Sequence, residues 1–237
     1  MKKLKNYKLY LIFFSLCLIL TMAFVLSSCG KRNIEIFRNN ISEARYNFYT
    51  GEVGEYKVSL TCGVRESDFK LNGYHTTNVE FGVLTIVLPS DVEYTGSATY
   101  KIEYGNKTTS GNLEQNPFDF SLMADIGFII KDIDEIKVTF KMGNITKFIN
   151  LHDVTKNFNY NYDSALELFV NENYKELKSF VDGNELKAEV YIKIMYNNEI
   201  DSNYYYLIRV IGRQGNVLSG IVNPINGEIL AVTSDKL

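Results

Sequence analysis

Tyr56-Lys-Val-Ser-Leu-Thr-Cys-Gly-Val64 is the stretch that decides the fold, because Tyr56, Val58, Leu60, Cys62 and Val64 alternate with polar residues or glycine. A period of two marks a strand with one face buried and one face in water. The alternation recurs at Ala98, Tyr100, Ile102 and Tyr104, at Phe118, Phe120 and Leu122, and at Ile136, Val138, Phe140 and Met142. Gly143-Asn144 supplies a two-residue hairpin turn into a strand over Ile145 to Leu151, since both residues tolerate positive φ. Around Gly82 the pattern slips phase, from Val79 and Phe81 to Leu84, Ile86 and Leu88, which predicts a bulge. Seven or eight such strands with this turn spacing predict an antiparallel, immunoglobulin-like β-sandwich over residues 41–154.

After the Asn-rich stretch Lys156 to Tyr162 the period becomes helical. Asp163 and Ser164 are candidate N-caps, and Ser164 with Glu167 forms a capping box. Leu166, Phe169, Val170, Leu177, Phe180 and Val181 fall on one stripe, interrupted by Asn173, and Asp182-Gly183 stops the helix. Strands follow over Leu186 to Tyr196, Tyr204 to Ile211 and Val217 to about Val232. Residues 155–237 thus read as a small α-β-β-β domain, and the chain as mainly β, α+β overall.

The N-terminus carries a different grammar. Lys2, Lys3, Lys5 and Lys8 precede a nearly unbroken apolar run from Leu9 to Leu26, and the run ends in Leu26-Ser27-Ser28-Cys29-Gly30. This is signal-peptide layout. It resembles a bacterial lipoprotein signal, with Leu26, Ser27 and Ser28 as the lipobox before the modified cysteine. The resemblance implies that residues 1–28 are removed, that the Cys29 thiol takes a diacylglyceryl group with palmitate-type chains, and that the protein sits on the extracytoplasmic face of the cell membrane. Two acyl chains anchor a protein stably where one does so only marginally. The alternative is an uncleaved signal anchor, because the apolar run approaches the length of a spanning helix. Residues 29–40 read as a polar tether. A chain rich in Lys, Asn, Ile and Tyr and without Trp suits an AT-rich Gram-positive genome.

Composition narrows the function classes. Removing residues 1–28 takes four lysines with it and moves the formal charge from −3 to about −7. Such a chain is a poor nucleic-acid ligand, because backbone binding needs clustered Lys and Arg. Cys62 becomes the one cysteine outside the signal and the lipid site, so the mature chain has no intramolecular disulfide. With 46% hydrophobic and 14% aromatic residues, an ordinary apolar core is within reach.

Chemistry-bearing patterns are sparse. His75 and His152 are the only histidines, neither at zinc-ligand spacing, so no metal or other cofactor is expected beyond the lipid on Cys29. His152-Asp153 lacks the G-x-S-x-G of a nucleophile elbow and reads as a solvated pair. Asp132, Asp134 and Glu135 offer oxygens for calcium, but the glycine and further acids of a calcium loop are missing, and a solvated turn explains them. Cys62 shares the core face with Val58 and Leu60 and reads as packing.

In the C-terminal part, Tyr206-Leu-Ile208-Arg-Val210, the glycines Gly212 and Gly215, and Ile221-Val-Asn223-Pro-Ile-Asn226-Gly227-Glu228-Ile-Leu230 resemble a PepSY-type domain, whose last strand runs into a D-x-x-T-G-E-(I/V)-L turn. Asn223 and Asn226 stand where that pattern has Asp and Thr. The same element order suits a cystatin-like fold. The resemblance implies a regulatory or inhibitory partner and makes Asn223, Asn226, Gly227 and Glu228 a candidate binding turn. Two function classes remain: a non-catalytic, membrane-anchored surface lipoprotein that binds an envelope protein or peptide, or an envelope hydrolase acting through scattered carboxylates.

Overall fold

Alternation becomes strand wherever one side chain in two reaches a shared interior. The structure is a computed structural model describing residues 34–67, 75–92, 94, 96–130, 133–197 and 203–236. The first eight strands are β1 (Ile41–Val53), β2 (Tyr56–Glu66), β3 (Asn78–Val87), β4 (Ala98–Tyr104), β5 (Lys107–Gln115), β6 (Leu122–Asp125), β7 (Glu135–Met142) and β8 (Ile145–Asp153). They pair antiparallel in the order β1-β2-β3-β6-β5-β4-β7-β8, and β8 returns to β1 through Tyr49 opposite Asp153 and Thr50 opposite His152. The result is a closed eight-stranded barrel, where the sequence predicts an immunoglobulin-like sandwich. Period-two patterning is the same in both, and the difference lies in the β1–β8 pairing, which joins the first and last of the eight strands.

The barrel is filled by side chains: Val58, Leu60, Cys62, Leu84, Ile102, Phe140 and Leu151 are buried inside it, with Tyr49 and Ile136. Lys57, Thr99, Lys101, Lys137 and Lys141 are exposed on its outer face. Apolar inside and charged outside is the reverse of a lipid-spanning barrel. Among the described residues no helix is long and apolar enough to cross a membrane.

Two details of the barrel depart from expectation. At Gly82 the β2–β3 register is continuous, so there is no bulge. The phase slips because Phe81 lies on the outer face, buried beneath the Arg65 guanidinium 4.8 Å from its ring centre, while Leu84 and Ile86 face inward. Gly82 is glycine because a Cβ there would stand 2.6 Å from Ile126 Cγ1. Phe118 and Phe120, expected in a strand row with Leu122, instead lie in the turn between β5 and β6, and only Leu122 begins a strand.

The rest of the chain extends the same sheet. β11 (Ala188–Asn197), β12 (Asn203–Gly212), β13 (Asn216–Val222) and β14 (Ile229–Lys236) form an antiparallel meander, preceded by a short hairpin of β9 (Val181–Asp182) and β10 (Glu185–Leu186). β11 joins β1 in parallel, with Ile41 opposite Val190 and Ala44 opposite Ile192. β1 therefore serves two units: its first residues pair with β11 and β2, and after a register shift between Arg45 and Asn47 it turns into the barrel and meets β8. The last expected strand is divided, because Pro224 lacks an N–H and Gly227 has φ of +75°, so the order is α-β-β-β-β around the small hairpin.

Helix α1 (Tyr162–Glu172) lays Ala165, Leu166, Phe169 and Val170 on this meander, against Ile208, Val210 and Leu218. A Cβ on Gly220 would stand 2.4 Å from the Phe169 ring, so glycine lets the helix approach. The N-cap is Asn161, whose Oδ1 accepts from Ser164 N at 2.9 Å, in place of the expected Ser164–Glu167 capping box. Glu167 faces Arg38 instead. Asn173 ends the helix by donating its Nδ2 to the Phe169 carbonyl at 2.9 Å, and the stripe continues in a separate short helix, α2 (Tyr174–Leu177).

Residues 34–40, expected as part of a polar tether, begin with a helical turn over 34–38. Ile34 and Phe37 are buried in the core beneath α1, with Ala44 of β1. An i, i+3 apolar pair is enough to seat one turn on an existing core.

Candidate functional site

The sheet order begins at β14, which pairs with β13 and with no other described strand. Every residue from Leu230 to Lys236 is exposed, with Leu230 46% and Val232 42% accessible. The stretch Ile229–Ser234 contains no charge and no proline. Natural edges are blunted by lysines, prolines, bulges or covering elements. β14 has a register irregularity at Leu230, opposite Ile221 and Val222, and is regular and uncharged from Ala231 to Ser234, where it offers a template for pairing with another chain. β8 meets β1 through the pairs Tyr49–Asp153 and Thr50–His152, and β5 meets β6 only at Glu114 and Gln115, so β14 is the outermost of several open stretches in the large sheet.

The predicted binding turn leads into this edge. Gly227 N donates to Asn223 O at 2.9 Å and Asn223 N to Glu228 O at 2.8 Å; Asn223 Oδ1 accepts from Ile225 N, and Asn226 Oδ1 from Glu228 N. Asn159 and Tyr160 donate their backbone N–H groups to Pro224 O, and Asn159 Nδ2 donates to Ile225 O at 2.7 Å. The side-chain oxygens of Asn223 and Asn226 thus hold the turn, and Gly227 packs where a Cβ would stand 2.7 Å from the Tyr160 ring. The turn sets the direction of β14. Cys29 and the residues Leu26, Ser27 and Ser28 lie outside the described residues.

The other chemistry-bearing side chains are dispersed. Cys62 is fully buried, its Sγ accepts from Ile130 N at 3.5 Å, and burial raises its thiol to a pKa of about 11. Little thiolate exists at neutral pH. Asp153 accepts from Thr155 N and Oγ1, while His152 is exposed 4.0 Å from Glu135, so the two neighbours serve different local contacts. Asp134 pairs with Lys156 at 2.7 Å, and Asp132 lies outside the described residues. No three described His, Cys, Asp or Glu side chains converge as metal ligands.

One buried polar group was not legible in the sequence. Glu66, almost fully buried at the end of β2, accepts from Ser42 Oγ at 3.2 Å and meets His75 Nδ1 at 2.8 Å, both at the same Oε1. The carboxylate is the centre of this group. A nucleophilic triad needs the histidine between hydroxyl and carboxylate; here the carboxylate lies between the two and ties β1 to the β2 end. Beside it, Tyr191 donates its hydroxyl to Glu189 at 2.6 Å, and burial together with that carboxylate pushes the phenol well above its ordinary range.

The sequence pattern runs Val217 to Val232 together as one strand, which conceals the β14 edge. Pro224 and the Asn226-Gly227 pair were the signals that divide it. Comparison with family models, with curated proteins and with solved structures finds no match to this chain.

Proposed function

We propose that the protein is a non-catalytic lipoprotein, anchored through Cys29 to the extracytoplasmic face of the membrane, that binds an extended segment of an envelope protein by strand addition at β14. The observation that carries the binding reading is the uncharged, fully exposed edge from Leu230 to Ser234. Strand addition draws affinity from main-chain hydrogen bonds and specificity from alternate side chains, which suits an edge with Leu230 and Val232 exposed beside it. The helix-on-meander unit reads as PepSY-like, and with it the partner is an exported hydrolase that the module restrains. The Lys-rich start, apolar run and Leu26-Ser27-Ser28-Cys29 ending support the anchor.

The anchor is tested by labelled palmitate: incorporation into the wild-type chain and its loss in Cys29→Ser, with release from the membrane or retention of the uncut precursor, is the expected result. Binding is tested by Leu230→Lys with Val232→Lys, which places charges on the edge at positions already in water. Loss of partner capture with an unchanged unfolding midpoint supports the reading; unchanged capture refutes it.

A further inference from the structure

At one end of the barrel, the segment after β3 and the turn between β5 and β6 enclose a cleft of about 500 Å3, lined by Leu88, Pro89, Val92, Tyr94, Asp119 and Phe120 among others. The β5–β6 turn is held rigidly. Asn116 N donates to Ser121 O at 2.7 Å, Phe120 N to Asn116 O at 3.0 Å, Phe118 N to Asn116 Oδ1 at 3.1 Å, and Ser121 N and Oγ both donate to Asp119 Oδ1. This frame presents two phenyl rings to water, with Phe118 92% and Phe120 67% exposed.

Phe120 also has φ of +61°, the one non-glycine residue at positive φ among those described. A bulky side chain there is strained. Folding gains little from either ring, because both stand clear of the core. Strain and apolar exposure thus coincide at one rigid loop beside a cleft.

Charge selects the occupant. The segments Ile86–Ser97 and Gly111–Ile130 contain no lysine or arginine, while Asp91, Glu114 and Asp119 are exposed on them; on the neighbouring strand Lys57 stands opposite Val87, 4.0 Å from the Glu52 carboxylate. Hydrogen bonds from Ser121 hold the Asp119 carboxyl below its ordinary range, so it stays anionic. An acidic rim repels an anionic lipid surface. Aromatic faces beside carboxylates suit lysine or arginine ammonium and guanidinium groups, which are drawn to both, interleaved with apolar side chains.

We infer that this barrel-end cleft is a second binding site, separate from β14, for an extended peptide segment that alternates cationic and apolar side chains. Phe118 and Phe120 clamp the segment and Asp119 pairs with its cations.

The full chain in detergent is titrated with two fluorescent decapeptides, one alternating Leu and Lys and one alternating Leu and Glu, and separately with phosphatidylglycerol and phosphatidylcholine vesicles. The Leu/Lys peptide is expected to bind at least tenfold more tightly than Leu/Glu. Phe118→Ser with Phe120→Ser is expected to weaken it tenfold or more, and Asp119→Asn several-fold, without lowering the unfolding midpoint. Phe120→Gly, which relieves the backbone strain, provides a folded single variant that also binds more weakly. Equal binding of the two peptides, or undiminished Leu/Lys binding by the phenylalanine variants, overturns the inference. So does vesicle binding that depends on Phe118 and Phe120 while neither peptide binds.

Discussion

Arg38 grips Asp163 with two parallel hydrogen bonds, Nε to Oδ1 at 2.6 Å and Nη2 to Oδ2 at 2.7 Å, across 125 residues of sequence. Glu35 and Glu167 accept from the same guanidinium at 2.9 and 3.0 Å. These carboxylates hold the arginine charged across the accessible pH range. The network clips the helical turn over 34–38 to the start of α1. Cys29 precedes Ile34 by five residues, so the proposed lipid on Cys29 would keep the α1 side of the protein within about 18 Å of the membrane, the limit set by an extended chain.

Replacing Arg38 by Met keeps the aliphatic stem and removes the clip. The expected cost is about 1 kcal/mol, because the pair is bidentate yet partly in water. Urea midpoints for Arg38→Met, Asp163→Asn and the double variant check this, and additive losses would show that the pair is not coupled.

β1 supplies Tyr49 to the barrel core and Ala44 to the core beneath α1, where Ile34 and Phe37 also lie. A fragment of residues 155–237 lacks all of these and leaves the β11 edge without its parallel partner. It is expected to show no cooperative thermal transition by circular dichroism. A folded fragment would show that the two units are independent.

Gly227→Val introduces a branched side chain at φ of +75° and drives its Cβ against the Tyr160 ring. The expected destabilisation is about 1–3 kcal/mol. Glu228→Ala, at an exposed position, is expected to leave the unfolding midpoint in place. Equal stability of Gly227→Val and wild type would remove the structural role assigned to the turn.

The Cys62 thiol is raised from 9.0 to about 11 in the folded protein, first by burial. Its contribution to stability is therefore intact below pH 9 and lost as pH rises from 9 through 11, by an amount on the order of 2 kcal/mol. Burial also raises the phenols of Tyr46, Tyr162 and Tyr206, which adds to the alkaline loss. Cys62→Ala costs about 1 kcal/mol at neutral pH as a small core truncation and is expected to flatten part of the alkaline decline. An identical pH profile in both proteins, or rapid labelling of Cys62 by a bulky thiol reagent, would contradict this.

Alternation was legible at Tyr56 to Val64, Ala98 to Tyr104 and Ile136 to Met142 because each strand has one face in the barrel interior and one in water. Gly143-Asn144 was legible as chemistry local to two residues. Barrel closure was not, since the Tyr49–Asp153 pairing joins strands far apart in sequence, and period two is indifferent to which edges meet. Phe118 and Phe120 mimic a strand row while lying in a hydrogen-bonded turn, and no local signal separates the two. Ile34 and Phe37 sit among charged and amide residues, and only the core beneath α1 explains their burial. The Asn223–Glu228 turn was legible, but its role in aiming β14 needed Pro224 and Tyr160 in place.

β14 is the proposed site at which a partner strand adds. A photoreactive side chain installed at Ala231, on the exposed edge, is irradiated in cells expressing the full chain, alongside the same label at Thr99 on the outer barrel face. A discrete crosslinked species is expected from Ala231, absent from Thr99 and lost when Leu230 and Val232 are changed to lysine. Crosslinking that is equal at both positions, or that survives the lysine substitutions, would contradict it.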